Sequence, residues 1–174
     1  KHLEVYGAEA DDIIAALCFE LEFDNGKTLI LSGDKDFIQL QKFSNVYQYS
    51  PITKKFINGT DPDDYLNEHV MKGDSSDGIP NVFSPDNTFV DGLRQKPLSK
   101  KKIATLIEGV FPNDEVKRNY QRNKKLIDLT QSPNELFLEC LQEYRKAPDG
   151  DRSKLFNYFI QKRLKNLTES IGDF

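Results

Sequence analysis

Seven carboxylates fall in three short blocks in the first half of this 174-residue chain: Glu9, Asp11 and Asp12; Asp34 and Asp36; Asp74 and Asp77. Each block lies where a helix or strand is expected to begin or end, not inside a run of surface charge. Hard divalent cations such as Mg²⁺ take carboxylate oxygens as ligands, keep several waters and handle phosphates. The chemistry these residues support is metal-assisted hydrolysis of a phosphate ester. Nucleophilic catalysis through histidine or cysteine is poorly supplied, since the chain has two histidines, His2 and His69, and two distant cysteines, Cys18 and Cys140. Those cysteines make neither a disulfide framework nor a clustered zinc site.

Taken singly, each block has an ordinary reading. Glu9, Asp11 and Asp12 occupy the first turn of an expected helix, where an acidic group gains ~0.3–1 kcal/mol from the helix dipole. Asp34 and Asp36 follow an apolar strand, at the carboxyl end where open α/β sheets place ligands. Asp74 and Asp77 flank two serines after a helix and could be turn formers. Together they read differently. Blocks at the ends of neighbouring strands converge on one edge of the sheet, and carboxylates gathered there repel one another unless cations bind. Two metal ions clamping a phosphodiester would use such an excess of ligands. An aspartyl-phosphate nucleophile is the weaker reading of Asp34-Lys35-Asp36, because Phe37-Ile38 follow in place of a small polar stretch.

The elements that must position these groups follow from periodicity. A strand over 3–6 and a helix from Ala8 to about Glu22 carry the first block. A continuous apolar strand, Thr28–Leu31, of the kind buried on both faces, leads into a helix over 36–41. Strands over 46–49 and 55–57 complete a β-α-β-α-β-β order, an α/β pattern. Asp61-Pro62 caps a helix running to about Lys72. A long loop spans 73–98. Helices are expected over 100–109 and 114–130, after a capping box at Ser132-Pro133-Asn134-Glu135, and from about Ser153. No apolar run approaches the length needed to span a bilayer.

Charge divides the chain. Residues 1–77 carry 15 Asp/Glu against 7 Lys/Arg, whereas residues 94–125 carry 10 Lys/Arg against 3 Asp/Glu. Lys100, Lys101, Lys102, Lys117, Arg118, Arg122, Lys124 and Lys125 form the basic set. They read equally as a solvated helix face or as a phosphate-binding surface for duplex nucleic acid. Tyr120 lies among them and fits either core or surface.

Three segments carry a family resemblance: Glu9-Ala10-Asp11-Asp12-Ile13-Ile14-Ala15, Leu31-Ser32-Gly33-Asp34-Lys35-Asp36-Phe37-Ile38-Gln39-Leu40, and Lys72-Gly73-Asp74-Ser75-Ser76-Asp77-Gly78-Ile79-Pro80. In this order and spacing they resemble the flap-endonuclease and 5′-to-3′ exonuclease family, and within it the branch of phage ribonucleases H. The likeness extends to Asn166–Ile171.

It implies part of a PIN-like parallel sheet with flanking helices over 1–72. An all-helical DNA-binding subdomain of helix–three-turn–helix type would occupy 73–174. It further implies catalytic carboxylates at Glu9, Asp11, Asp34, Asp36, Asp74 and Asp77, with Asp12 added to the metal-binding set. Glu9, Asp11 and Asp34 would hold the first of two Mg²⁺ ions, and Asp36, Asp74 and Asp77 the second, partly through water. Mn²⁺ is an expected substitute.

The implied substrate is duplex DNA or an RNA–DNA hybrid with a 5′ end or flap, as in primer removal. The implied setting is a monomer in the cytoplasm (the host's, for a phage protein) beside a single-stranded-DNA-binding replication protein. Two departures stand out. The family's first-strand Asp, a further strand-end Asp and a basic arch are expected upstream of Lys1. Its glycine-rich hairpin is replaced by Asn81-Val82-Phe83-Ser84-Pro85-Asp86. The alternative to a nuclease is a non-catalytic duplex-binding or replisome-interaction module.

Overall fold

The computed structural model describes residues 1–23, 26–146 and 154–173. Residues 3–144 form one compact unit, and residues 1–2 form a second with the described residues from 145 onward. The larger unit is mixed α/β, built on a three-stranded sheet. Thr28–Leu31 (β1) pairs in parallel with Val46–Ser50 (β2), Thr28 opposite Val46, and β2 pairs antiparallel with Lys55–Ile57 (β3), Gln48 opposite Ile57. Helix Ala10–Glu20 (α1) covers one face of this sheet. Ala15 and Cys18 pack with Ile30, Phe37, Leu40, Phe43 and Val46 into the first core. Burying one such aliphatic or aromatic side chain is worth about 1.5–3 kcal/mol, so this cluster anchors the strand ends that carry the second acidic block.

Two expectations change here. Residues 3–6 form no strand: no described segment offers their backbone a ladder, and hydrogen bonding, not pattern, makes a strand. β1 is not buried on both faces, because Leu29 is 51% and Leu31 67% exposed while Ile30 is buried. The helix expected over 36–41 forms over Asp36–Lys42, in the tighter 3₁₀ geometry. Its buried Gln39 donates to the Ile127 carbonyl and accepts from the Leu129 amide, which fastens the segment to the chain 88–90 residues further on.

Pro62–Lys72 (α2) begins as its local signal requires, with the Asp61 carboxylate accepting from the Asp63 and Asp64 amides. The helices Lys100–Ile107 (α3) and Asp114–Ile127 (α4) are opened by the Ser99 and Asn113 side chains. Met71, Val82, Ile103, Leu106 and Val116 form a second core. Tyr120 packs against it, its ring 5.3 Å from that of Phe111, so the core reading of this residue holds.

The 73–98 segment is held by buried amides. Asn119 donates to the Val82 and Ser84 carbonyls, Asn123 to those of Val70 and Pro80, and the Asn81 amide group to Lys96. A buried carbonyl left without its donor costs about 1–3 kcal/mol. Asn123→Ala is therefore expected to destabilise by about 2–3 kcal/mol, measured as a lower denaturation midpoint at unchanged slope.

Asn134–Arg145 (α5) starts two residues after Ser132, whose hydroxyl donates to Asp12 across 120 residues. The second unit contains the short helices Leu155–Gln161 (α6) and Lys165–Glu169 (α7). They are separated at Arg163, whose φ of 54° breaks the single helix that the apolar stripe suggested. The expected start at Ser153 lies outside the described residues. Cys18 and Cys140 are buried free thiols. No helix of the described residues is long and apolar enough to cross a membrane.

Candidate metal centre

A cleft of about 360 Å³ gathers the acidic blocks: Glu9, Asp11, Asp12, Asp36, Asp74 and Asp77 line it. The end of α4 and the turn beyond it also line it, including Lys125, Asp128 and Ser132. Asp34 does not line the cleft, yet its charge raises the pKa values of both Asp11 and Asp36, so it stands within electrostatic range.

Each block is aimed by its local backbone. Asp12, at the third residue of α1, accepts from the Glu9 amide at 3.0 Å and from the Ser132 hydroxyl at 2.5 Å. Both of its oxygens thus bind protein groups, which starts α1 and ties it to the Ser132 turn. Asp34 Oδ1 accepts from the Asp36 amide, and Ser32 Oγ accepts from the Asp34 amide, which folds the Asp34-Lys35-Asp36 turn on itself. Below the turn lies Gln48, 1% exposed in β2, whose amide group donates to the Ser32 and Asp34 carbonyls. A buried glutamine in a strand is costly unless it is fully bonded. Here it sets the height of the second block.

The third block depends on Gly73. Its φ of 69° and ψ of −178° close α2 and turn the chain straight into Asp74, which bridges to Ile79. Asp74 Oδ1 accepts from the Ser76 amide at 2.8 Å and from the Ser76 hydroxyl. Its Oδ2 lies 3.2 Å from His69 Nε2. The other ring nitrogen, Nδ1, lies 3.3 Å from Asp36 Oδ1. His69 thus spans the second and third blocks, and one ligand atom each from Asp36, His69 and Asp74 lies within 4.8 Å of the others.

The electrostatics are those of crowded carboxylates. Burial, then the charges of Asp34, Asp36, Glu9 and Asp12, push Asp11 up to about 6. Asp36 is also raised, first by burial, then by Asp34, Asp74 and Asp77, against the opposing pull of His69. For Asp74 burial acts upward, but the Ser76 hydroxyl, the Ser76 and Asp77 amides and His69 outweigh it and hold this carboxyl below its usual range. Tyr65, on α2, is pushed up to about 12 by burial and by Asp36, Asp34 and Asp74. A site that raises some carboxyls and lowers another by aimed donors has the character of a functional cleft. Oxygen ligands in excess with one imidazole fit divalent cations.

The basic set is only partly surface charge. Arg118 and Arg122 both pair with Asp86, and Arg122 also donates to the Pro80 carbonyl, so they brace the 73–98 segment. Lys102 bonds the Pro97 carbonyl and lies 4.7 Å above the Phe83 ring. Lys100, Lys101, Lys117 and Lys124 are exposed, and Lys125 faces the carboxylate cleft. His69, Gln48, Gly73 and Ser76 were absent from the expected site. Only the Gly73-Asp74 and Ser-Ser pattern carried a local signal for them.

Residues 62–174 match the family described as T4 RNase H, C terminal, and residues 1–71 match the 5′-3′ exonuclease N-terminal resolvase-like domain. Ribonuclease H of Enterobacteria phage T4 is 32% identical over 95% of this chain and 58% of its own length. A 5′-3′ exonuclease of Buchnera aphidicola subsp. Schizaphis graminum is 39% identical over 47% of the chain and 31% of the relative. DNA polymerase I of Bacillus subtilis is 36% identical over 98% of the chain and 21% of the relative. The chain thus spans just over half of the phage relative and less of the others. The family match over 62–174 takes in most of the chain, so the chain belongs to the family described as T4 RNase H, C terminal, and its first 71 residues are similar to the 5′-3′ exonuclease N-terminal resolvase-like domain.

Proposed function

We propose that this chain forms the greater part of the active site of a metal-dependent 5′-to-3′ exonuclease and flap endonuclease. Its substrate would be the 5′ end or flap of duplex DNA or an RNA–DNA hybrid, including replication primers. The observation that carries this reading is one cleft lined by Glu9, Asp11, Asp36, Asp74 and Asp77 together with Lys125. Two divalent ions, when bound, would supply charge neutralisation and an activated water for in-line attack at phosphorus. Glu9, Asp11 and Asp34 would hold one ion and Asp36, Asp74 and Asp77 the other.

The remaining residues position and exclude. Gln48 and Ser76 keep Asp34 and Asp74 from swinging away, and Lys125 offers a cation to the scissile-strand phosphates. The exposed lysines of α3 and α4 would follow the duplex backbone in the manner of a helix–three-turn–helix unit. The division of labour would fall near residue 72, with acidic chemistry before it and duplex contacts after it. A replication protein that binds single strands would be the natural neighbour.

A 5′-labelled flap duplex tests this directly. With Mg²⁺, cleavage is expected to be weak or absent with the chain alone, to rise when an upstream segment is supplied, and to vanish in Asp34→Asn. No cleavage under either condition would end the nuclease reading. For the duplex surface, affinity is expected to fall steeply as salt is raised from about 50 to about 200 mM, and Lys125→Ala to lower the salt slope by about 1. A flat salt dependence would remove the phosphate-binding role from α4.

A further inference from the structure

His69 is placed where neither a surface histidine nor a core histidine belongs. Its side chain is 13% exposed, and each ring nitrogen faces a different carboxylate: Nδ1 faces Asp36 Oδ1 at 3.3 Å and Nε2 faces Asp74 Oδ2 at 3.2 Å. A neutral imidazole carries one N–H, so it can donate to one of these carboxylates while its other nitrogen turns a lone pair on the second. The structure shows the unsatisfied side: Nδ1 is buried and has no hydrogen-bond partner. The Nε2–Asp74 Oδ2 pair meets hydrogen-bond geometry and the Nδ1–Asp36 pair does not, which places the N–H on Nε2, donating to Asp74, and leaves the Nδ1 lone pair facing Asp36.

Two lone pairs 3.3 Å apart, one on a buried ring nitrogen just behind the cleft and one on Asp36, which lines it, are what a metal ion resolves by binding both. Neighbouring ligands of a six-coordinate ion at about 2.0–2.2 Å stand about 3 Å apart, so the ring and the carboxylate need to move by only a few tenths of an ångström. The Nε2–H bond to a carboxylate is also how a ligating histidine is commonly oriented. We propose that His69 Nδ1 is a ligand in the second metal subsite, beside Asp36, and that it biases this subsite towards first-row transition ions over Mg²⁺. Imidazole suits ions such as Co²⁺ and Zn²⁺, while Mg²⁺ takes oxygen. This rests on the proposal that the cleft binds divalent cations, and it assigns one position a preference that an all-carboxylate site would lack.

The competing role for His69 is that of a built-in countercharge that merely holds Asp36 and Asp74 together. The two roles give opposite signs. Calorimetric titration of the whole chain with Co²⁺ and separately with Mg²⁺ is compared between wild type, His69→Gln and Asp36→Asn. A ligand role predicts that His69→Gln weakens Co²⁺ at one site at least tenfold and leaves Mg²⁺ within about threefold. Unchanged Co²⁺ affinity, or tighter binding of both ions, would overturn the proposal.

A second measurement does not depend on how well the variant folds. Electron spin echo envelope modulation of Mn²⁺ bound to wild-type protein is expected to show a coupled imidazole nitrogen. Its absence from the occupied second site would overturn the proposal by itself. Asp36→Asn separates the two levels. If it abolishes binding at that site while the nitrogen signature is missing, the metal cleft stands and the role of His69 falls. If wild type binds no divalent ion, both fall.

Discussion

Gly73→Ala is expected to cost about 3–5 kcal/mol, roughly 10 °C in melting temperature, the largest loss of any Gly→Ala change among the described residues. The reason is local and twofold. At φ 69° and ψ −178° the residue occupies backbone space that is essentially reserved for glycine. A Cβ there would also collide with the Ile79 carbonyl oxygen and come within 2.7 Å of the Pro80 carbonyl, all backbone atoms that cannot step aside. Gly78 is the control. Its φ is also positive, at 73°, but the space its Cβ would enter is open, with no packed atom within 4 Å. Gly78→Ala should therefore cost only about 1–2 kcal/mol. Thermal melts of the two variants side by side check this. Because Gly73 turns the chain into Asp74, the first variant should also lose divalent-ion affinity at temperatures where it is still folded. The second should not.

Asp11→Asn should do the reverse, stabilising the protein while disabling it. Asp11 sits half-buried among Asp34, Asp36, Glu9 and Asp12, which together with burial raise its pKa to about 6. A carboxyl whose folded pKa lies above its unfolded value binds protons more readily when folded. Between about pH 4 and pH 6, therefore, this group's contribution to the stability of the metal-free protein rises as pH falls, and above about pH 6 the repulsion is fully present. Removing the charge relieves it. With about half the side chain screened by water, the gain is about 1 kcal/mol, or roughly 2–4 °C near pH 7.5, and it should disappear near pH 4. The same proton competes with metal, so wild-type affinity for Mg²⁺ or Mn²⁺ should fall by up to about tenfold per unit below about pH 6. In Asp11→Asn, affinity at the first ion should be low at every pH. A variant that melts lower than wild type at the same mildly alkaline pH, without metal, would show that this cluster is not under repulsion.

What could be read from the chain was whatever is encoded within a few residues. Asp61-Pro62 names its helix start, and the Asp-x-Asp and Asp-x-x-Asp blocks name their own turns. Their meeting in one cleft did not follow from strand ends as expected, because residues 3–6 form no strand and the first block is carried by the start of α1 alone. The groups that finish the site are tertiary. His69 reaches Asp36 from 33 residues away, Gln48 supports Asp34 from the next strand, and Ser132 bonds Asp12 across 120 residues. No periodicity carries such pairs, and a buried polar side chain is indistinguishable from an exposed one until its partners are placed.

The same limit explains the basic set. Arg118 and Arg122 look like phosphate ligands by composition, yet both pair with Asp86, itself in the 73–98 segment. Charge counting could not distinguish a brace from a surface. The leucines of β1 illustrate the converse. A wholly apolar run predicts burial on both faces, but burial also needs something to lie against, and among the described residues only the Ile30 face has it.

Whether the cleft holds two divalent ions is decided by crystals soaked in Mn²⁺ and measured at the manganese absorption edge. Two anomalous peaks are expected in the cleft, one within bonding distance of Asp11 or Asp34 and one within bonding distance of Asp36 or Asp74. Both should be displaced by excess Mg²⁺ or lost in the Asp11→Asn and Asp36→Asn proteins, respectively. A cleft without manganese, or peaks that persist unchanged in those variants, would contradict a two-ion site.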